Sequence, residues 1–128
     1  MDKEKYIELQ VLDQQIKNIQ KQLQMIDDQM IELIITRQSI DELKDVKLKS
    51  EILSPIASGI FVKSDIKDNN EFIVNVGSNV AVKKTREEVK ELIEKQLYEI
   101  KNVQNELLVN LQKMVLEAQN IEKELQNV

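Results

Sequence analysis

Residues 51–84 read EILSPIASGIFVKSDIKDNNEFIVNVGSNVAVKK. This stretch holds the only proline of the chain, Pro55, and both of its glycines, Gly59 and Gly77. The long segments on either side contain neither residue type, and the interior of a helix disfavours both. The sequence therefore predicts a short β element between two long helices.

The apolar residues of this stretch recur with a period of two, as they do in half-buried strands. Polar turns at 67–70 and 77–79 interrupt the pattern. We predict two hairpins, with strands at about 52–54, 58–67, 71–77 and 80–84. Small hairpins are marginally stable alone, and their edges invite pairing with other chains. We expect an oligomer interface formed by Ile60, Phe61, Val62, Phe72, Val74, Val76, Val80 and Val82.

Heptad repeats fill both flanking segments, which we assign to residues 1–49 and 85–128. A repeat sustained over four or more heptads is a strong coiled-coil signal. Thr85 and Glu88 have the spacing of a capping box at the start of the second helix. We call the row of apolar heptad positions along each helix its seam. The first seam comprises Leu9, Leu12, Ile16, Ile19, Leu23, Ile26, Met30, Leu33 and Ile40, and the second comprises Ile93, Leu97, Ile100, Leu107, Leu111, Met114, Ala118, Ile121, Leu125 and Val128.

The two seams predict one long antiparallel coiled coil within a single domain. In an antiparallel pair, the numbers of facing residues have a constant sum, which defines the register. We predict a sum of 137, which sets Leu12 opposite Leu125 and Leu23 opposite Met114. That register places Arg37 opposite Ile100. A slip of three or four residues would also pair many of the same side chains.

Composition excludes most enzymatic and binding chemistry. The 128 residues include no cysteine, which excludes disulfides and thiolate metal sites, and no histidine, which removes the commonest general base and the commonest metal ligand. We expect no catalytic site, no cofactor and no metal site. A net charge of −5 with two arginines disfavours nucleic-acid binding. The polar N-terminus and short apolar runs predict neither a leader nor a membrane span, so we expect a cytoplasmic protein.

The central element resembles the α class of the prefoldin family. The resemblance is carried by Pro55-Ile56-Ala57-Ser58-Gly59-Ile60-Phe61-Val62 and by Phe72-Ile73-Val74-Asn75-Val76-Gly77-Ser78-Asn79-Val80-Ala81-Val82. It implies a hexamer of two α and four β subunits, in which the hairpins form a double β-barrel body and six coiled coils extend from it. It also implies an ATP-independent holdase that binds unfolded client proteins at the coiled-coil tips and delivers them to a group II chaperonin. The isoleucine- and lysine-rich composition is compatible with an archaeal source.

A holdase needs exposed, adaptable apolar surface. Such surface is expected off the seams in the halves remote from the hairpins, and at seam ends that can fray. The residues predicted to bind client are Ile7, Leu9, Val11, Leu12, Val115, Leu116, Ile121, Leu125 and Val128.

Two alternative functions fit the same helices and hairpins. One is a structural coiled-coil stalk or adaptor, such as a rotor or stator piece of a membrane ATPase. The other is a filament-forming prefoldin relative, in which the hairpins associate into an open array.

Overall fold

A computed structural model describes residues 2–127. It confirms the predicted fold class, two long helices joined by two antiparallel hairpins. The elements in chain order are α1 (Asp2–Glu42), a 3₁₀ turn (Leu43–Asp45), β1 (Glu51–Ala57), β2 (Ile60–Asp65), β3 (Glu71–Gly77), β4 (Val80–Thr85) and α2 (Arg86–Gln126). We call β1–β2 the first hairpin and β3–β4 the second.

The first hairpin differs most from its predicted bounds. Strand β1 runs through Pro55 as far as Ala57, longer than predicted, because each strand of a two-stranded sheet is an edge strand and tolerates proline. Strand β2 starts at Ile60, later than predicted, because Ser58 and Gly59 form the turn. Gly59 has φ +75°, the left-handed region that glycine adopts without a steric penalty.

Helix α1 ends earlier than the heptad pattern predicts. The pattern extends to about residue 47, but the helix stops at Glu42 and tightens into the 3₁₀ turn. The seam has already become polar at Arg37 and Lys44, so continuing the helix would bury no further apolar stripe. The chain then reverses through Lys49, which has a left-handed φ of 69°.

The capping box at the start of α2 is confirmed. The backbone N–H of Glu88 donates to Thr85 Oγ1 over 3.3 Å, and the backbone N–H of Thr85 donates to Glu88 Oε1 over 3.2 Å. The bonds from Thr85 hold the pKa of the Glu88 carboxyl below its ordinary value. These bonds satisfy two N–H groups that a helix start would otherwise leave unpaired.

The chain divides into two compact units. The helical unit contains residues 2–32 and 97–127, and the hairpin unit contains residues 33–96. In the helical unit, Leu12, Ala118 and Ile121 form a buried cluster. Leu9, Ile16, Met114 and Leu125 pack against that cluster, as the seam pattern predicts.

The predicted register is wrong by about one heptad. In the helical unit, Lys5 Nζ lies 2.7 Å from Glu124 Oε2, and these numbers add to 129 rather than 137. In the hairpin unit, Arg37 pairs with Glu94, not with Ile100, and Lys90 Nζ lies 3.1 Å from Asp41 Oδ1. A slip of seven residues returns every seam position to a seam position, so the apolar pattern alone cannot distinguish the two registers.

Candidate functional site: the hairpins and their attachment

The first hairpin exposes apolar side chains on both faces. Cross-strand partners share a face, so Ser54 and Val62 lie on one face while Pro55 and Phe61 lie on the other. The Phe61 side chain is 55% exposed. The exposed large apolar residues of this hairpin are Ile52, Leu53, Ile56, Ile60, Phe61 and Val62. Exposed apolar side chains gathered on one small hairpin mark a site where another molecule packs.

The second hairpin turns one face toward its own helices. Phe72, Val74 and Val82 are half-buried, and they alternate with exposed residues such as Ile73. A groove of about 360 Å³ runs beside β3, and its lining includes Phe72 and Val74 together with Ile40, Val89 and Ile93 from the helices. The opposite face and the turn end stay open, since Ile73, Val76 and Val80 are each at least half exposed.

Each sheet contains only two strands, so all four strands have one unpaired edge. Backbone N–H and C=O groups on such an edge can accept a further strand. Unpaired edges and exposed apolar faces occur on the same hairpins. The arrangement is suited to pairing with other chains.

The predicted interface residues divide into two groups. Ile60, Phe61, Val62, Val76 and Val80 are exposed, whereas Phe72, Val74 and Val82 are half-buried. Sequence reasoning missed four exposed residues on the same hairpins. The sequence did contain a signal for them. Leu53 follows Ile52 directly and Ile73 lies between Phe72 and Val74, so each of these strands has apolar residues on both faces. The missed residues are Ile52, Leu53, Ile56 and Ile73.

Sequence reasoning also missed Arg86. Among the described residues it is the only buried polar or charged side chain, with 8% of its surface exposed. Its Nε donates to the Ile40 carbonyl over 3.1 Å, and its Nη1 donates to Asn70 Oδ1 over 3.2 Å. Its Nη2 donates to the Asn69 carbonyl, and its guanidinium carbon lies 5.8 Å from the centre of the Phe72 ring. We call Ile40, Asn69, Asn70, Phe72 and Arg86 the Arg86 network.

The turn that enters β3 is fixed by short-range bonds as well. Asp68 Oδ1 accepts from the backbone N–H groups of Asn70 and Glu71 at 2.8 and 3.1 Å. These bonds hold the pKa of the Asp68 carboxyl below its ordinary value. Asn69 Nδ2 donates to the Val46 carbonyl over 2.9 Å, which ties the turn to the segment after α1.

Backbone bonds close the base of the first hairpin. The Lys49 N–H donates to the Ile66 carbonyl over 2.7 Å, and the Ile66 N–H donates to the Ser50 carbonyl over 3.0 Å. Ile66 is itself buried. Backbone bonds thus close the base of the first hairpin, whereas the Arg86 network ties the second hairpin to α1.

The residues predicted to bind client occupy three environments in the helical unit. Ile7, Val11 and Leu116 are each more than half exposed. Leu9, Val115 and Leu125 are half-buried, and Leu12 and Ile121 are buried in the seam cluster. Val128 lies outside the described residues. The first group offers the most apolar surface while the helices remain paired.

The helical unit also contains a shallow groove of about 270 Å³. Its lining includes Met25, Val103 and Leu107, with Gln22 and Gln29 at its margin. Met25 and Val103 are exposed, so the apolar surface of this unit is wider than the predicted set. Across residues 2–127, no helix has the length and apolar character that a membrane crossing requires.

Comparisons with known proteins agree on one family. A family model described as Prefoldin subunit matches residues 12–128. Prefoldin subunit alpha of Methanococcus vannielii is 31% identical over 121 residues, which cover 94% of this chain and 81% of that protein. Prefoldin subunit alpha of Pyrococcus horikoshii is 35% identical over 124 residues, which cover 93% and 83%. A chain from the cryo-EM structure of filamentous PFD from Methanocaldococcus jannaschii superposes with a TM-score of 0.81 at 17% identity, covering 91% of this chain and 96% of that one, which shows a shared fold.

Proposed function

Because this chain belongs to the prefoldin family and resembles its archaeal α class, we propose that it is an ATP-independent holdase subunit. It binds non-native polypeptides through the helical unit and delivers them to a group II chaperonin. Membership of this family of chaperone subunits confirms the expectation that the chain is not an enzyme. We assign its work to the cytoplasm, which suits a chain without cysteine.

The proposal includes assembly with β-class prefoldin subunits, two copies of this chain with four of the partner. The observation that supports assembly is the first hairpin, whose large apolar side chains are exposed on both faces. A two-stranded sheet with two open apolar faces is unstable alone in water. Packing against hairpins of other subunits in a β-barrel body would cover these faces and pair the free edges.

Client binding is supported by exposed apolar side chains in the helical unit. Ile7, Val11 and Leu116 are available without opening the seam, and Met25 adds a flexible side chain that adapts to different partners. Leu12 and Ile121 would contribute only when the helices separate near their ends. No nucleotide site is needed, since this surface is open to client at all times.

The experiment that tests this function has two measurements. Native mass is measured for this chain alone and after co-expression with an archaeal β-class prefoldin subunit. The purified assembly is then added to a chemically denatured client protein, and aggregation is followed by light scattering. We expect a two-to-four complex that suppresses aggregation without ATP.

Other results would support the alternative functions. A ladder of long homo-oligomers would favour the filament-forming relative. A monomer or dimer in both samples, with no suppression of aggregation, would overturn the proposal and favour the structural stalk or adaptor. A two-to-four complex that failed to suppress aggregation would support the proposed assembly and refute the proposed holdase role.

A further inference from the structure

We infer that Arg86 is a positioning residue, which fixes the direction in which the second hairpin leaves the helices and thereby makes it competent for assembly. The inference rests on the proposed function, since it assigns Arg86 a role in subunit association. It concerns a residue outside the hairpin surface itself, which acts through the Asn69–Asn70 turn.

The contacts of Arg86 join three parts of the hairpin unit. Its side chain reaches the last turn of α1 at Ile40 and the entrance of β3 at Asn69 and Asn70. Its backbone N–H donates to the Asn70 carbonyl over 3.2 Å. Because β4 runs directly into Arg86, this one residue connects both strands at the base of the second hairpin to α1.

Helix stability does not explain an arginine at this position. Arg86 is the first residue of α2, where a cation opposes the positive end of the helix dipole. Its guanidinium instead lies against a carbonyl in the last turn of α1, the end at which a cation is favourable. The side chain is therefore placed to serve α1 and the hairpin, and not its own helix.

A lysine cannot supply the same contacts. Three nitrogens of the planar guanidinium reach three different acceptors, while one face of the group lies over Phe72. An ammonium group is a single point of charge with rotatable donors. A buried cation without these acceptors would also lose hydration that nothing replaces.

Loss of the Arg86 side-chain contacts would leave the second hairpin attached by its covalent link to α2, by the packing of Phe72 and Val74, and by hydrogen bonds of the Asn69–Asn70 turn to Val46 and to the Arg86 backbone. Those apolar contacts line an open groove and are not directional. The hairpin would then sample several directions, while a partner strand requires one. The affinity of assembly should therefore fall while the helix content changes little.

The test compares Arg86→Met and Arg86→Lys with Arg37→Met. Arg37 is the only other arginine of the chain and pairs at the surface with Glu94, so it is a matched control. Three quantities are measured: helix content by circular dichroism, hydrogen exchange of residues 69–77, and the concentration midpoint of assembly with a β-class prefoldin subunit.

For Arg86→Met we expect unchanged helix content, faster exchange in 69–77, and an assembly midpoint raised about tenfold or more. Arg86→Lys should retain only part of the wild-type affinity, and Arg37→Met should behave as wild type. If Arg86→Met assembles at the wild-type midpoint, the inference is wrong. If the wild-type chain does not assemble with the partner at all, the proposed function fails instead.

A second variant keeps the test decisive if Arg86→Met loses its helices. Asn70→Ala removes the Oδ1 acceptor and leaves the cation and the helix start in place. It should speed hydrogen exchange in residues 69–77 and raise the assembly midpoint, and both effects should be smaller than those of Arg86→Met. Wild-type exchange and wild-type assembly in Asn70→Ala would refute the positioning role.

Discussion

Gln104 Nε2 donates a hydrogen bond to Asp27 Oδ1 over 3.0 Å, joining the two helices of the helical unit through a polar residue at the seam position between Ile100 and Leu107. The pair satisfies a half-buried amide that the heptad pattern presents only as an interruption. Polar seam residues of this kind specify register at a cost in stability. The residue numbers 27 and 104 add to 131, which is close to the 129 of Lys5 and Glu124 and below the predicted sum of 137.

The register predicts a cross-linking pattern. The chain has no cysteine, so engineered pairs report without background. Asp27→Cys with Gln104→Cys should be joined by a short bismaleimide in high yield. Asp27→Cys with Asn110→Cys, the pair that a sum of 137 would align, serves as the control and should react poorly. Equal yields would mean that the register is not fixed.

Replacing the polar seam residue should raise stability and reduce specificity. Gln104→Leu buries apolar surface in the seam, so we expect the free energy of unfolding to rise by about 1–2 kcal/mol. Urea denaturation followed by circular dichroism measures this change. The same substitution should let the pair Gln20→Cys with Glu117→Cys, whose numbers also add to 137, react more than it does with the Asp27–Gln104 bond present. A lower denaturation midpoint would contradict this account.

Acid should weaken the start of α2 through Glu88. Its pKa is held below the ordinary value of 4.5 by bonds from Thr85, so its contribution to stability is complete above that value and is lost as pH falls through the folded pKa. Glu88→Gln keeps an acceptor but does not titrate, and should flatten the pH dependence of unfolding in this range. Thr85→Ala removes the reciprocal bond and should cost about 1 kcal/mol at neutral pH. Urea titrations between pH 7 and 3 would test both, and an unchanged slope in Glu88→Gln would contradict the assignment.

The sequence predicts the features that depend on local pattern and leaves open those that depend on distant partners. The period-two residues around Val74 and the capping box at Thr85 were recognisable because neighbouring residues determine them. The register was not, because a slip of seven residues preserves the seam and only polar contacts such as Lys5–Glu124 and Asp27–Gln104 distinguish the alternatives. Arg86 was missed for the same reason, since its acceptors Ile40 and Asn70 are remote in the sequence.

A charge on the first hairpin should abolish assembly without unfolding the chain. Phe61 is 55% exposed, so Phe61→Asp should change the stability of the isolated subunit by no more than about 0.5 kcal/mol. In an assembled body the same carboxylate would be buried without a partner, which is strongly unfavourable. Native mass with the β-class partner should fall to that of free subunits. Tyr98→Asp, at an exposed aromatic position in α2, is the control and should assemble normally.

Exposed and buried members of the predicted client-binding set should respond differently to the same substitution. Val11→Ser with Leu116→Ser removes exposed apolar surface, so the melting temperature should hold while suppression of client aggregation weakens. Leu12→Ser alters the buried seam cluster and should lower the melting temperature, at a cost of about 2–4 kcal/mol. Light scattering of a denatured client, measured well below the melting temperature of each assembled variant, separates the two effects. If the exposed double variant holds client as well as wild type while Leu12→Ser does not, the client surface lies in the seam, and binding requires the helices to part.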